Sequence, residues 1–339
     1  MPYDYMTLAE LAKGIGSADI TQVVNEIEKT TTILNDASFI EATGMLEHRG
    51  ARKVSYPTNQ WVAIDQGGVS SKGHKELFTS ELGMIESWAT ARQKEGMIAP
   101  NPEQVYAEDE RDHVASMAYD VESCLIYGGA QPGQFKGIMP HFNRITEANE
   151  LANLRAKPQF ITLDNGGDED DAMSSLLMVV WGAGGANMLY PRYTKTKGIN
   201  ITKGNWQVIE EGGEKFFQRD TQFLMSTGLS LSNRYAVIRI ANIDTSDAGL
   251  ATSMPALRKN LFRAFTLLPK HFKSRVRLYA PGSVLAGVND YYAGRVSPVT
   301  YENAIPTNAI GDIRFDNFVI RQVDTMLDAS EAVVDGGNG

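Results

Sequence analysis

Between Asn101 and Gly128, in the stretch NPEQVYAEDERDHVASMAYDVESCLIYG, apolar residues fall at Val114, Ala118, Val121 and Leu125. Steps of four, three and four keep these side chains on one face of a 3.6-residue helix. The ends carry their own signals. Asn101 offers a cap to the first turn, Pro102 stands where a first helical residue has no N–H to lose, and Gln104 completes a capping-box-like pair with Asn101. Glu103 sets negative charge at the positive end of the dipole, and Gly128 stands where a left-handed residue would close the helix. At about 1.5 Å per residue the rod is roughly 39 Å long. Its first half holds Glu108, Asp109, Glu110, Arg111 and Asp112, too much charge for a compact core.

Residues 1–47 read as two helical pieces. In the second, Asp19 offers a cap, and Ile20, Val23, Val24 and Ile27 share a face before Thr30, Thr31 and Thr32 weaken the helix. That narrow stripe needs a partner surface, and the next segment supplies none. From His48 to Thr79 the chain turns to Gly, Ser, Thr, Lys and isolated hydrophobes. Val54 and Tyr56 alternate, Trp61 to Ile64 is a short apolar run, and Asp65-Gln66-Gly67-Gly68 is a turn signal, so a long irregular hairpin is one reading. A disordered loop fits the same composition equally well. A hairpin of this length is marginal alone, which points to support from a neighbouring copy.

Leu82 to Ala91 reads as a strand leading to the long helix, and GGAQPGQFKGIMPHF after it as an irregular loop. Ser174 to Trp181, SSLLMVVW, is a continuous apolar run suited to a buried strand. Phe223, Met225, Leu229 and Leu231 alternate, then Ser232-Asn233-Arg234 turns the chain into YAVIRIAN, which predicts a long antiparallel pair. A helix follows, with Ser253 near its cap, Pro255 at its start, Leu257, Leu261, Ala264, Phe265 and Leu268 on one face, and Pro269 as its stop. A strand at Val276 to Ala280, a short helix from Ser283, and a strand pattern at Ile313 and Phe315 before FVIRQVD complete an α+β class.

Composition narrows the function classes. The 339 residues are 42% hydrophobic, enough for an extensive core, and no run of eighteen apolar residues or signal-peptide pattern occurs. A soluble protein without membrane association, made in the cytoplasm, is the expectation. Cys124 is the sole cysteine, so no intrachain disulfide forms, and its place on the apolar half of the helix suits a small buried hydrophobe. A net charge of −9 argues against gripping nucleic acid through its phosphates, though not against enclosing it.

Chemical motifs are weak. Trp181-Gly182-Ala183-Gly184-Gly185-Ala186 follows a strand but lacks dinucleotide-loop spacing. Asp164, Asp168, Asp170 and Asp171 suggest calcium, yet Glu169 stands where the loop glycine would be, so a solvated turn is preferred. Glu110 and His113 have a spacing that places two ligands on one helix face, but no second such pair occurs. His48, His74, His141 and His271 are scattered without metal-ligand spacing. No catalytic, cofactor-binding or metal-binding residues are expected.

As an ordered set, CLIYGGAQPGQFKGIMPHFN, SSLLMVVWGAGGANMLYP, and LSLSNRYAVIRIANID followed by MPALRKNLFRAFTLLP resemble the major capsid proteins of tailed bacteriophages of the Hong Kong 97 type, with IGDIRFDNFVIRQVDTML a weaker echo. The resemblance implies that residues 1–47 are an N-terminal arm and 48–80 an extended loop lying over an adjacent subunit. It makes 81–154 and 216–249 a peripheral domain with spine helix 102–127, 155–215 and 250–310 an axial domain, and 311–339 a return strand and tail. As a spine, the helix should pack Val114 to Leu125 on strands of its own subunit and leave its acidic half on a solvent-facing or inter-subunit surface. The function implied is self-assembly, as pentamers and hexamers, into an icosahedral virion shell. That shell encloses double-stranded DNA without sequence-specific binding. A portal protein and, in some shells, a decoration protein are the partners implied. No long charged extension precedes the arm, so a separate scaffolding protein is expected. The founding member joins subunits by Lys–Asn isopeptide bonds. Lys72 and Lys75 lie in the loop here, but no matching Asn and Glu are identifiable, so crosslinking is not expected. The rival classes are an α+β enzyme, which should show convergent titratable groups, and a tail or decoration component, usually a shorter chain.

Overall fold

The structure, a computed structural model, describes residues 5–152, 158–168, 172–246, 248–292, 299–300, 313–315 and 318–335. In chain order its elements begin with α1 (Leu8–Ile15), α2 (Ala18–Thr30), α3 (Thr32–Asp36), β1 (Phe39–Glu41), β2 (Glu47–Lys53), β3 (Lys75–Arg92), α4 (Gln93–Ile98) and α5 (Pro102–Tyr127). There follow α6 (Ala148–Ala152), β4 (Ile161–Asp164), β5 (Met173–Val180), β6 (Ala186–Tyr190), β7 (Ile199–Lys203), β8 (Gln207–Glu211), β9 (Glu214–Leu231) and β10 (Val237–Asp244). The last are α7 (Leu250–Leu267), β11 (Val276–Ala280), α8 (Gly282–Tyr292), β12 (Val299–Thr300), β13 (Ile313–Phe315) and β14 (Phe318–Gln322). They form two units: residues 1–48, 80–137 and 188–229, and residues 49–79, 138–187 and 230–339.

The first unit is built on β1, β6, β9 and β3, paired in that order, with β7 and β8 also paired to β9. β3 and β9 run antiparallel from Leu82↔Gly228 to Arg92↔Gln218. β3 begins at Lys75, seven residues before the predicted Leu82, because the strand carries on from the preceding hairpin. α5 lies along this ribbon: Thr221 donates a hydrogen bond to Glu110 Oε1 at 2.9 Å, and Ser87 Oγ shares one with His113 Nδ1 at 3.0 Å. Val114, Ala118, Val121 and Leu125 are buried, as the spacing predicts, and Met117 with them, while Glu108, Asp109 and Asp112 are exposed.

The ends of α5 depart from expectation. The Asn101 side chain makes no cap bond, and Gly128 has φ −57, outside the left-handed region. Glycine is needed there for space, since a Cβ would lie 2.3 Å from the Cys124 carbonyl oxygen and 2.7 Å from that of Phe135. The N-terminal stripe also differs: Ile20, Val23, Val24 and Ile27 are buried, with α2 packed on α5 of the same unit. Ser17, rather than Asp19, stands at the N-cap. The buried Glu122 of α5 accepts the Ile33 N–H at 2.7 Å, which ties α3 to the same helix.

The second unit holds a mixed sheet ordered β12-β13-β14-β11-β5-β10-β4. Every residue of β5, MSSLLMVV, is buried, so a continuous apolar run here marks a strand covered on both faces. The predicted β9–β10 hairpin does not form. β10 pairs with β5 and β4, and β9 pairs with β3 and β7, so each has its edges occupied in a different sheet. α7 starts at Leu250, which places Ser253 and Pro255 inside it. The reason is visible in the periodicity: Leu250 and Met254 extend the stripe of Leu257, Leu261 and Ala264 backwards by one turn.

Candidate assembly surfaces

Residues 54–74 contain no helix or strand, yet their two legs are tied as a hairpin. Val54 and Ser55 donate their N–H groups to His74 O at 3.0 and 3.3 Å, Ser71 Oγ donates to Thr58 O, and Gln66 N–H closes the turn on Ala63 O at 3.0 Å. At the turn, Trp61 and Ile64 are 101% and 103% exposed, with Val69 and Leu77 also on the surface. Leaving side chains of this size in water forgoes about 1.5–3 kcal/mol each, which a contact that covered them would recover.

The base of the hairpin is firm by contrast. The Arg52 guanidinium lies over the Phe78 and Phe160 rings at 5.2 and 5.4 Å and pairs with Glu76 at 3.3 Å. Arg234 donates to the carbonyl oxygens of Lys53, at 2.9 Å, and Val54. Gly50 faces the Phe78 ring, where a Cβ would stand 2.6 Å from it. A rigid root and an apolar tip are what a docking arm requires, because an arm already ordered loses less entropy on binding.

In the first unit, a cleft of about 540 Å³ opens beside the C-terminal end of α5, lined by Met84, Asp120, Cys124, Tyr127, Gln134 and Phe135 among others. Burial pushes the Cys124 thiol up from its ordinary value, although its bond to Phe135 O at 3.6 Å acts the other way. The thiolate is the reactive form, so iodoacetamide at neutral pH should label Cys124 severalfold more slowly in the folded protein than in the chain unfolded in urea. Mass spectrometry of timed aliquots checks this, and equal rates would contradict it.

Among the described residues, the chemistry-bearing side chains singled out above do not converge. Glu110 pairs with Lys203 at 3.4 Å as well as with Thr221, while His113 engages Ser87, so each faces its own partner. His141 stacks on Phe160, His271 lies beside Phe272, and His48 is buried, with its pKa lowered by desolvation. His74 is exposed in the hairpin. Asp164 Oδ1 accepts the Gly166 N–H at 3.0 Å, closing a turn; Glu169, Asp170 and Asp171 lie outside the described residues. Among the described residues no three His, Cys, Asp or Glu side chains are placed to share a metal ion. The Gly182–Gly185 run is a tight link between β5 and β6: Gly182 and Gly184 have φ 91 and 72, and a Cβ on Gly185 would stand 2.1 Å from Val180 O. Lys72 and Lys75 are exposed. The apolar tip at Trp61 and Ile64 was legible only as a short run inside a polar segment; its exposure was not.

The profile of the family described as major capsid protein GP7 matches residues 16–334. Comparison with curated proteins finds no match. Among solved structures, a chain of the near-atomic structure of bacteriophage Epsilon15 aligns with TM-score 0.58 at 17% identity, covering 88% of this chain and 88% of that one. A chain of the procapsid of bacteriophage JBD30 aligns with TM-score 0.41 at 10% identity over 91% of this chain and 99% of that one. A chain of the capsid of a native GTA particle aligns with TM-score 0.42 at 8% identity over 62% and 90%. The Epsilon15 alignment shows a shared fold.

Proposed function

Since the chain belongs to the major capsid protein GP7 family, we propose that the hairpin at residues 54–74 is the arm by which each copy grips a neighbour. The protein is a phage coat protein with the α+β Hong Kong 97-type fold, and copies of it assemble into the head shell as pentamers and hexamers. In this reading residues 1–47 are the N-terminal arm, 48–80 the extended loop and α5 the spine of the peripheral domain. Residues 81–154 and 216–249 make up that peripheral domain, 155–215 and 250–310 the axial domain, and 311–339 the return strand and tail. The shell is icosahedral and encloses double-stranded DNA, held by confinement, as the net charge of −9 suits. Synthesis is in the host cytoplasm, and a scaffolding protein, a portal protein and, on some shells, a decoration protein are the partners.

The observation that carries the arm is the complete exposure of Trp61 and Ile64 on a root fixed by Arg52 and Arg234. Aromatic anchors at interfaces are worth about 2 kcal/mol or more each. Because a subunit holds several neighbours at once, that loss compounds through the shell. The variant Trp61→Ser/Ile64→Ser should therefore yield few or no shells by negative-stain electron microscopy, with a thermal unfolding midpoint within a degree or two of the wild type. Shells at wild-type yield would remove the arm from the assembly contacts.

A further inference from the structure

The charge of this chain is divided unevenly. Residues of the first unit include 22 acidic and 12 basic side chains, a net −10, while the second has 19 and 20, a net +1. Within the second unit the cations are concentrated further. Between residues 248 and 289 there are seven Lys or Arg and no Asp or Glu.

α7 and the turn after it display this charge on one side. Met254, Leu257, Leu261 and Ala264 face the core, and the opposite face of the helix exposes Arg258, Lys259, Phe262 and Arg263. Lys270 continues the exposed row, and Lys273 folds back over the Phe265 ring at 4.7 Å. Lys259 and Arg263 repel as an i,i+4 pair, a small cost to the helix that an acidic partner would reverse. Phe262 stands 42% exposed among these cations.

We propose that the exposed face of α7 docks on the acidic face of α5 in a second copy of the chain, an inference that rests on the coat-assembly reading above. The complement is present in every copy. Glu108, Asp109 and Asp112 are exposed on α5, and the same helix exposes Val105 and Tyr119 at 36% and 43%. Glu108 and Asp112 are spaced four residues apart, as are Lys259 and Arg263, so both pairs repeat at about 6 Å along their axes. Two helices laid side by side can thus match charge to charge, with apolar side chains on each to fill the contact. An aromatic side chain amid arginines is the make-up of a protein interface centre. A nucleic-acid backbone would use the cations and leave Phe262 in water.

The contact is between different faces of two copies, so it can propagate around a ring. It also has a charge-swap test. Lys259→Glu/Arg263→Glu and Glu108→Lys/Asp112→Lys should each weaken capsomer formation more than tenfold in sedimentation velocity at low salt, and the four changes combined in one chain should restore it. Raising the salt should weaken the wild-type association. Unchanged thermal unfolding separates a lost contact from a lost fold, and Lys259→Gln/Arg263→Gln gives an intermediate loss without reversed charge. Wild-type capsomers from either reversed double variant, or a folded quadruple variant that stays dissociated, would overturn the proposal. So would Lys259→Glu/Arg263→Glu shells of normal yield that lose only their hold on DNA, which assigns the ridge to nucleic acid. A concentrated wild-type chain that forms no capsomers at any salt, with a scaffolding protein present, would instead overturn the assembly reading beneath it.

Discussion

Glu331→Ala is expected to destabilise the second unit by about 3–5 kcal/mol, the range for removing one partner of a buried ion pair. Arg239 and Glu331 are 6% and 5% exposed. The guanidinium donates to Glu331 Oε2 at 2.8 Å, to Ser175 Oγ at 3.0 Å and to Phe142 O at 2.9 Å, and Ser175 donates in turn to the same carboxylate. Without that carboxylate a positive charge remains in the interior with only neutral acceptors. The C-terminal segment is tied to the sheet at the same point. Met173 and Glu331 exchange both backbone hydrogen bonds, at 3.1 and 2.8 Å, and Val334 N–H donates to Asn242 Oδ1 at 2.9 Å. Hydrogen exchange should therefore show the Met173 and Glu331 amides losing protection first. Glu331→Gln keeps the shape and one acceptor oxygen, so it should cost less than alanine. Wild-type protection in Glu331→Ala would mean the pair contributes little.

That network was beyond reach of the sequence, because Arg239 and Glu331 are 92 positions apart and neither sits in a motif. What could be read were segments whose own periodicity fixes them. α5, β5 and β11 fall where spacing put them, since a helical stripe such as Val114 to Leu125 or a short apolar run has few alternatives. The family resemblance rested on such segments in order, and the profile match over residues 16–334 agrees with it. Pairing was less legible. Alternation in Phe223 to Leu231 identifies a strand without naming its neighbour, and two strands joined by a short turn look like a hairpin even when each completes a different sheet. Gly128 misled for a related reason: a Cβ there would crowd the Cys124 and Phe135 carbonyl oxygens, a closeness that hydrophobic periodicity does not record. The exposed tip was the least legible: Trp61 and Ile64 are the residue types that ordinarily mark a core, and only structure shows them in solvent.

Ile27→Ala should cost the isolated subunit about 2–5 kcal/mol, the range for truncating a fully buried aliphatic side chain. Read from sequence, the stripe Ile20, Val23, Val24 and Ile27 needs a partner surface that the next segment does not supply. The structure supplies the partner locally: Ile27 is 0% exposed, α2 packs on α5, and Glu122 of α5 holds the Ile33 N–H just beyond. A partner in the same subunit and one in a neighbouring copy separate cleanly in measurement. If the stripe were finished only by a neighbour, Ile27→Ala would leave the dissociated subunit as stable as wild type and weaken assembly instead. With α5 as the partner, the loss appears in dilute, unassembled protein and is the same at any concentration. A folding stability of 5–15 kcal/mol is typical, so the change is large enough to read from a urea midpoint. The same logic divides the surface of this coat protein. Side chains already covered within the subunit set whether it folds, and the exposed apolar tip at Trp61 and Ile64 is the part proposed to set whether it assembles.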